Sequence, residues 1–502
     1  MGALYCSASV HKGWFLKKTR KPVIIPCDDK SIGGHAFALI SYTEDGFIVQ
    51  NSWGPDWGYH GFALLSYEDW IRNGSDAWVA VLGSLMRTAA SPVTLSTQAL
   101  QESVTRPAGM PGRNKAPGQG FNYRNEKVLP LSEGEAYLHT LVLGNNGQPI
   151  NRIISAENAL KATEQVCVDG PGAWFDALPA RQPRKLAIYV HGGLNDEADS
   201  LTRIRMMAPY FRENGIYPLF VTWKTGALES IGGILEDSAR EIFRGQPEMR
   251  DEGVADRIRQ AVAEARDRSI EVACENLLVK PMWSEMKQNA AAATQAGSGL
   301  RLLALMKRLP RLEIHLAGHS AGSIVLGHLF PLLDKRLSAA SLTLFAPACS
   351  VDFANRHFGA AFQSGTLAPG KVHVDIMDDE REQADTVGPY GKSLLYLVSR
   401  ALETRHKTPL LGMEWAWKGD AAPEGHWANA PDVRDALTEW ARHAAGIKSL
   451  RLHGKRREYV STGAGRIKLA HGSFDNDVEV MADMLQRMRG APLVAKVENL
   501  AY

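Results

Sequence analysis

The segment Leu312–Leu326, with the sequence LEIHLAGHSAGSIVL, decides the fold of the larger part of this chain. It begins as a short apolar strand, passes through a Gly-x-Ser-x-Gly turn from Gly318 to Gly322, and continues as the apolar start of a helix. A serine on so tight a turn adopts strained backbone angles, and the flanking glycines let strand and helix pack closely. The sequence therefore predicts that the Ser320 hydroxyl stands between a strand end and a helix amino terminus.

This position predicts that Ser320 is a nucleophile. At a helix amino terminus, backbone amides and the helix dipole favour a negatively charged oxygen nearby. The amide of Ala321 is therefore a candidate oxyanion donor. The alternative is an ordinary strand-to-helix turn that happens to contain serine, and the segments on either side decide between the two interpretations.

A second glycine-rich turn, His191-Gly192-Gly193, follows a predicted apolar strand. Backbone amides in such a turn can point at a developing oxyanion without obstruction by side chains, so Gly192 and Gly193 are candidate oxyanion residues. A helical pattern over residues 196–214 and a strand over residues 217–223 come next. This order of strand, helix and strand predicts an α/β fold with a doubly wound, mainly parallel sheet.

An acid and a histidine are predicted downstream of the serine. Asp378 directly follows a strand predicted over residues 372–377, and Asp385 lies further along the same loop. Both are candidates, because strand ends at one edge of a parallel sheet converge. His471 lies on a loop near the carboxyl terminus and completes the order Ser, Asp, His. We expect its neutral imidazole to accept the Ser320 proton while a carboxylate orients the ring.

Residues 131–502 resemble the α/β-hydrolase superfamily. The resemblance rests on the turn at Gly192, the turn around Ser320, the late acid and His471, in this order. It implies hydrolysis of an ester, lipid, thioester or amide bond through a Ser-His-Asp triad, with no metal or organic cofactor. The fold does not select the substrate. A helical pattern over residues 228–306 is expected to form a cap over the site.

The first part of the chain carries a different pattern. Two short apolar runs, over residues 34–40 and 46–51, flank an acidic-glycine turn, which is typical of a β-hairpin. The hairpin would bring His35, at the start of one strand, close to Asn51, at the end of the other. An asparagine oxygen beside an imidazole fixes the tautomer and orientation of the ring.

Residues 1–85 resemble the strand-rich half of papain-family cysteine peptidases. The resemblance rests on Gly-His-Ala around His35 and on QNSWGPDWG, which contains Asn51, and it implies a base and its orienting residue at these positions. The family's nucleophilic cysteine precedes its histidine by more than about a hundred residues. Only Cys6 and Cys27 precede His35, and neither lies in a nucleophile-like run. We therefore expect no peptidase activity from this segment alone.

Three explanations for the absent half remain open. In the first, the reading frame is truncated. In the second, a separate chain supplies the cysteine-bearing half. In the third, the segment is a degenerate remnant kept for structure or as a docking module. A missing half leaves apolar surface that needs covering. The expected partners are therefore a small acyl or peptide substrate for Ser320 and, in the second case, a complementing chain.

Residues 86–130 are rich in Ser, Thr, Gly, Pro and Gln, and they predict a flexible linker. After it, strands are predicted over residues 136–143 and 151–155. They flank the glycine-rich turn Gly144–Gly147, so we expect a hairpin at the edge of the following sheet.

Composition limits the remaining function classes. The chain has 502 residues, of which 45% are hydrophobic and 22% charged, as in an ordinary multidomain globular protein. A formal net charge of +2 argues against nucleic acid as the main partner. No apolar run reaches the roughly 18 residues of a membrane span. The five cysteines show no metal-like spacing. A cytoplasmic location is expected, unless a longer amino terminus carries a targeting signal.

Overall fold

Two large β-sheets organise the part of the chain that the structure describes. The structure is a computed structural model. It describes residues 4–28, 30–79, 128–144, 146–153, 156–179, 182–192, 197–223, 264, 267–272, 274, 279–333, 337–387, 389–454 and 457–501. Most of the predicted linker, and the part of the predicted cap before residue 264, therefore lie outside the described residues.

The amino-terminal sheet is antiparallel. Its strands are β1 (Leu4–His11), β2 (Ser31–Tyr42), β3 (Gly46–Gln50), β4 (Phe62–Ser66) and β5 (Gly74–Val79). They lie in the order β4-β3-β2-β1-β5. β2 and β3 form the predicted hairpin, with Tyr42 opposite Phe47. In β1 every second side chain is buried, at Cys6, Ala8 and Val10, as expected of a strand with one face on a core.

The second sheet contains eight strands. They are β6 (Thr140–Leu143), β7 (Pro149–Ile150), β8 (Arg184–Val190), β9 (Ile216–Trp223), β10 (Leu312–His319), β11 (Ala339–Phe345), β12 (Val372–Met377) and β13 (Ser449–His453). Their order is β13-β12-β11-β10-β8-β9-β6-β7, and every neighbouring pair is parallel except β6 with β7. A further hairpin pairs β14 (Tyr459–Ser461) with β15 (Arg466–Lys468). The predicted α/β class with a mainly parallel sheet is confirmed.

Helices cover both sheets. They are α1 (Tyr67–Asn73), α2 (Glu133–Leu138), α3 (Ala159–Glu164), α4 (Gly170–Asp176), α5 (Glu197–Glu213), α6 (Val279–Ala292), α7 (Gly299–Leu303), α8 (Gly322–Leu329), α9 (Val351–Ala354), α10 (Ala360–Ser364), α11 (Asp379–Ala384), α12 (Leu394–Leu397), α13 (Pro431–Ala444) and α14 (Val478–Arg489). Within the described residues, no helix combines the length and the apolar character that a membrane crossing requires.

The predicted edge hairpin is present, but its strands begin and end elsewhere. β6 begins only at Thr140, because Ser132 and Glu135 form a reciprocal capping box that starts α2 immediately before it. The second arm is the short β7, which ends before the predicted strand over residues 151–155. The prediction of strand over residues 136–139 was therefore wrong, since an amino-terminal helix signal precedes the apolar run.

Helix α6 packs against the amino-terminal sheet on one side and against the core of the eight-stranded sheet on the other. On one side Met282 forms a small apolar cluster with Ile48 of the amino-terminal sheet. On the other side Trp283 is buried in the main core, and its indole Nε1 donates to Glu403 Oε1 at 2.8 Å. Lys287 Nζ lies 2.8 Å from the other oxygen of Glu403. This helix therefore covers one patch of the apolar surface of the amino-terminal sheet.

Candidate active site

The turn between β10 and α8 holds Ser320 in a strained conformation. β10 ends at His319, and Ser320 has φ 51°, in the left-handed region that residues with a Cβ rarely adopt. The turn is held by backbone bonds: Ser320 N donates to Phe345 O at 2.8 Å, and Ala348 N donates to Ser320 O at 3.0 Å. The hydroxyl of Ser323 donates to the same carbonyl at 2.7 Å. Neighbouring strand ends therefore position the serine.

Strand and helix pack closely around the two glycines of this turn. A Cβ on Gly322 would lie 2.3 Å from the carbonyl oxygen of Val190, at the end of the adjacent strand. A Cβ on Gly318 would lie 2.7 Å from Leu326 Cδ1 in the first turns of α8. The contact at Gly322 is with backbone and leaves no room for a side chain, whereas the contact at Gly318 is with the end of a side chain that can shift. The approach of strand and helix therefore requires glycine at position 322.

Ser320 and His471 are brought together, although they are far apart along the chain. His471 Nε2 lies 2.8 Å from Ser320 Oγ, and both residues are buried. Burial, and secondly the nearby His319, lower the pKa of His471 to about 3. The imidazole is therefore neutral near pH 7, and its Nε2 can accept the proton of the serine hydroxyl.

The two candidate acids have different surroundings. Asp385 is buried, and its Oδ2 accepts a hydrogen bond from the backbone N–H of His471 at 3.0 Å. Its Oδ1 accepts from the amide of Thr386 at 3.0 Å. Asp378 instead caps α11, where its Oδ1 accepts from the amide of Arg381 at 2.8 Å. Of the two, Asp385 is the acid that the structure brings to His471.

The imidazole Nδ1 of His471 is buried and has no hydrogen-bond partner among the described residues. This is the nitrogen that a triad acid has to orient. The ring is therefore in place against Ser320, and Asp385 contacts the same histidine through its backbone N–H.

A network of buried polar and charged side chains, which the sequence did not reveal, contacts the backbone carbonyl of His471. His319 Nε2 donates to the backbone carbonyl of His471 at 2.8 Å, and its Nδ1 lies 3.6 Å from Asp475 Oδ2. Asp475 also receives the hydroxyl of Tyr189 at 3.2 Å and pairs with Arg203 Nη1 at 3.0 Å. Burial alone would raise the pKa of Asp475, but Arg203 and His319 hold it well below its usual range.

The sequence gives only one indication of this network, which is that two of its members lie close along the chain to predicted catalytic residues. His319 is the neighbour of Ser320, and Asp475 belongs to the short helical turn His471–Asn476. Both lie beside residues singled out for chemistry, but nothing in their spacing indicates that they meet. The partner Arg203, on α5, has no local motif at all.

The predicted oxyanion turn lies directly beside Ser320. A Cβ on Gly192 would be 3.2 Å from Ser320 Cβ, so this backbone touches the serine. His191 is buried, and its Nε2 shares a hydrogen bond of 3.1 Å with Ser200 Oγ. Burial lowers the pKa of His191 to about 4. Ala321 is buried at the start of α8, whereas Gly193 lies outside the described residues.

The amino-terminal sheet brings the other predicted pair together. His35 Nε2 lies 2.8 Å from Asn51 Oδ1, which also accepts the amide of Ser52 at 2.8 Å. The ring of Trp53 lies against His35 at a centroid distance of 4.5 Å. Cys6 is buried in the core of this sheet, and burial raises the pKa of its thiol. A buried, protonated thiol is a poor nucleophile.

Comparisons of the chain with protein-family models, with curated proteins and with solved structures found no match.

Proposed function

We propose that this protein is a serine hydrolase of the α/β-hydrolase type, with Ser320 as its nucleophile. The single observation that carries the proposal is the 2.8 Å contact between Ser320 Oγ and His471 Nε2, at a strained turn between a parallel strand and a helix. A buried serine and a neutral imidazole in this arrangement form an activated nucleophile. We also propose that residues 131–502 belong to the α/β-hydrolase superfamily that they resemble.

In the proposed reaction, Ser320 Oγ attacks the substrate carbonyl while His471 Nε2 takes the hydroxyl proton. The resulting imidazolium then gives this proton to the leaving group, and the acyl-serine remains. Water attacks the acyl group in the second half, again with His471 as the base. Because burial keeps the pKa of His471 far below neutral, its charged form needs a compensating carboxylate while the reaction proceeds.

We assign the compensating carboxylate to Asp385. Its carboxylate accepts the backbone N–H of His471, and in the proposed reaction it also accepts Nδ1–H, which carries the proton when Nε2 accepts from Ser320. One carboxylate that receives both the backbone N–H and Nδ1–H fixes the tautomer and the ring orientation together. Asp378 has no comparable contact, because its side chain caps α11.

The proposed oxyanion donors are backbone amides at Ala321 and in the turn at Gly192 and Gly193. Ala321 begins a helix whose first amides have no acceptor within the helix. Gly192 approaches Ser320 closely enough that a side chain there would crowd the nucleophile. These amides would stabilise the negative charge that develops on the carbonyl oxygen.

The proposed substrates contain an ester, lipid, thioester or amide bond to a small acyl or peptide group, and the proposed location is the cytoplasm. A panel of such substrates, assayed with wild type and Ser320→Ala, tests the function. We expect at least one class to be hydrolysed by wild type and about a thousandfold or more slowly by the variant. Equal rates for the two proteins on every hydrolysed substrate would refute the proposal.

The hydrogen bond between His35 and Asn51 favours a second candidate function. In it the amino-terminal sheet is half of a papain-like cysteine peptidase, and a separate chain supplies the nucleophile. Peptidase activity recovered with the full chain from native lysate should then be lost in His35→Ala and kept in Ser320→Ala. Peptidase activity that depends on Ser320 alone would assign proteolysis to the first site instead.

A further inference from the structure

Three side chains with metal-binding chemistry meet on the amino-terminal sheet, away from both sites described above. They are His11 at the end of β1, Cys27 on the connection between β1 and β2, and Asp69 in α1. One ring nitrogen of His11, Cys27 Sγ and a carboxylate oxygen of Asp69 all lie within 4.8 Å of one another. The three come from separate segments, so their meeting depends on the fold.

The histidine and the carboxylate are held in place before any ligand binds. His11 Nε2 lies 2.9 Å from Asp69 Oδ2, and each side chain is only 1% exposed. The second carboxylate oxygen accepts from Asn73 Nδ2 at 2.7 Å, and the amide of Asp69 donates to Ser66 Oγ at 3.2 Å. Two of the three donor groups are therefore rigid, which lowers the entropic cost of binding a ligand.

The local backbone brings the third group close. A Cβ on Gly13 would lie 1.8 Å from the carbonyl oxygen of Pro26 and 3.0 Å from His11 Nδ1. Only glycine at this position lets the segment that carries Cys27 approach the histidine so closely. The pairing of β1 with β2 also shifts its register between Val10 and His11, which changes the direction of the strand end.

One nitrogen of the buried ring remains available. His11 Nδ1 is buried and has no hydrogen-bond partner among the described residues. A neutral imidazole has one N–H and one lone pair, so either nitrogen can bind a cation while the other carries the proton. The ring can therefore become a ligand without leaving its position in the core.

We propose that His11, Cys27 and Asp69 bind a divalent transition-metal cation of the zinc type. Nitrogen, thiolate sulfur and carboxylate oxygen are the donors that Zn²⁺ combines, at about 2.0 to 2.3 Å. Binding displaces the proton of the Cys27 thiol, because the thiolate is the ligand. Cys27 is exposed, so the fourth tetrahedral position faces solvent and takes water. The bound cation would join the β1–β2 connection to the sheet and to α1.

Cobalt provides the direct test, because a Co²⁺–thiolate bond absorbs in the near ultraviolet. The full chain is stripped of metal with a chelator and titrated with Co²⁺, followed by Zn²⁺. We expect a charge-transfer band that saturates at about one Co²⁺ per chain and that Zn²⁺ abolishes. The band should be absent in Cys27→Ser, and Co²⁺ binding should be at least about tenfold weaker in His11→Gln.

His35→Gln and Asp56→Asn are the matched controls, since they remove an imidazole and a carboxylate from the same sheet unit outside the cluster. Both should keep the wild-type band. Zn²⁺ should also raise the melting temperature of wild type and not that of Cys27→Ser, which folds normally because Cys27 is exposed. A wild type without the band, or a band that persists in Cys27→Ser, overturns the proposal.

Discussion

His471 is held by its main chain as well as by its ring. Its N–H donates to Asp385 and its carbonyl accepts from His319, while Nε2 faces Ser320. Because both backbone groups are fixed by buried partners, the ring has little freedom except rotation about its own side-chain bonds. At the residue scale, the contact between Ser320 and His471 therefore depends also on Asp385 and His319, which hold the main chain of His471.

Asp385→Asn should lower kcat about a thousandfold to ten-thousandfold, because an amide no longer stabilises the imidazolium and favours the wrong tautomer. Asp378→Asn is the matched control, since this side chain only caps α11, and it should change kcat less than about threefold. Steady-state kinetics on the best substrate of the panel measure both. Equal losses in the two variants would contradict the assignment of the acid.

At the scale of elements, a buried ion-pair network joins the strands of the site to a helix. Asp475 contacts Tyr189 at the end of β8, Arg203 on α5 and His319 at the end of β10. These contacts link the turn that carries His471 to the same strand ends that hold Ser320. The network therefore connects the helix, the strands and the carboxy-terminal turn through one buried carboxylate.

Asp475→Asn should lower the free energy of unfolding by about 3 to 5 kcal/mol, because it removes the negative charge from a buried ion pair. Asp352→Asn breaks an ion pair with Arg356 that is more than half exposed, and it should cost less than about 1 kcal/mol. Urea unfolding of both variants gives the comparison. A cost for Asp475→Asn as small as that of the exposed pair would show that the network does not stabilise the fold.

Gly322→Ala should destabilise the protein by about 2 kcal/mol or more, because the added methyl group would meet the carbonyl of Val190 at 2.3 Å. Gly370→Ala is a suitable control, since its nearest contact would be at 4.0 Å. Thermal and urea unfolding measure both. Similar stabilities for the two variants would mean that β8 and α8 do not approach as closely as described.

At the scale of the whole molecule, buried neutral histidines make stability depend on pH. Burial lowers the pKa of His139 and His471 to about 3 and that of His191 to about 4, against about 6.5 in an unfolded chain. Below pH 6.5 the unfolded state binds more protons than the folded state, so stability falls as the pH falls towards 4. Glu382 opposes this trend, because burial raises its pKa to about 8.

His139→Gln isolates one of these contributions. The wild type should lose about 2 kcal/mol more than the variant between pH 7 and pH 5, since only the wild type has this imidazole to protonate on unfolding. Glutamine keeps a donor for the Pro218 carbonyl, which His139 Nδ1 contacts at 2.9 Å. Urea unfolding at the two pH values measures the difference. An identical loss in both proteins would contradict the neutral, buried state of His139.

Much of the arrangement was predictable because its signals are local. The turn around Ser320 and the hairpin that joins His35 to Asn51 are recognisable within a few residues, and His471 follows from chain order. Which of Asp378 and Asp385 contacts His471 was not predictable from the sequence. It depends on which side chain caps α11 and which one bonds to the backbone of His471. The network around Asp475 and the cluster around Cys27 join distant segments, so no spacing in the sequence indicates them.

Labelling with a fluorophosphonate probe tests whether Ser320 is the nucleophile, because the probe reacts only with a serine that a neighbouring base activates. Wild type should be labelled at a single site that peptide mapping assigns to Ser320, and Ser364→Ala, which changes an exposed serine, should be labelled equally. Ser320→Ala should not be labelled, and His471→Ala should be labelled at least about a thousandfold more slowly. Labelling that survives Ser320→Ala would contradict the account.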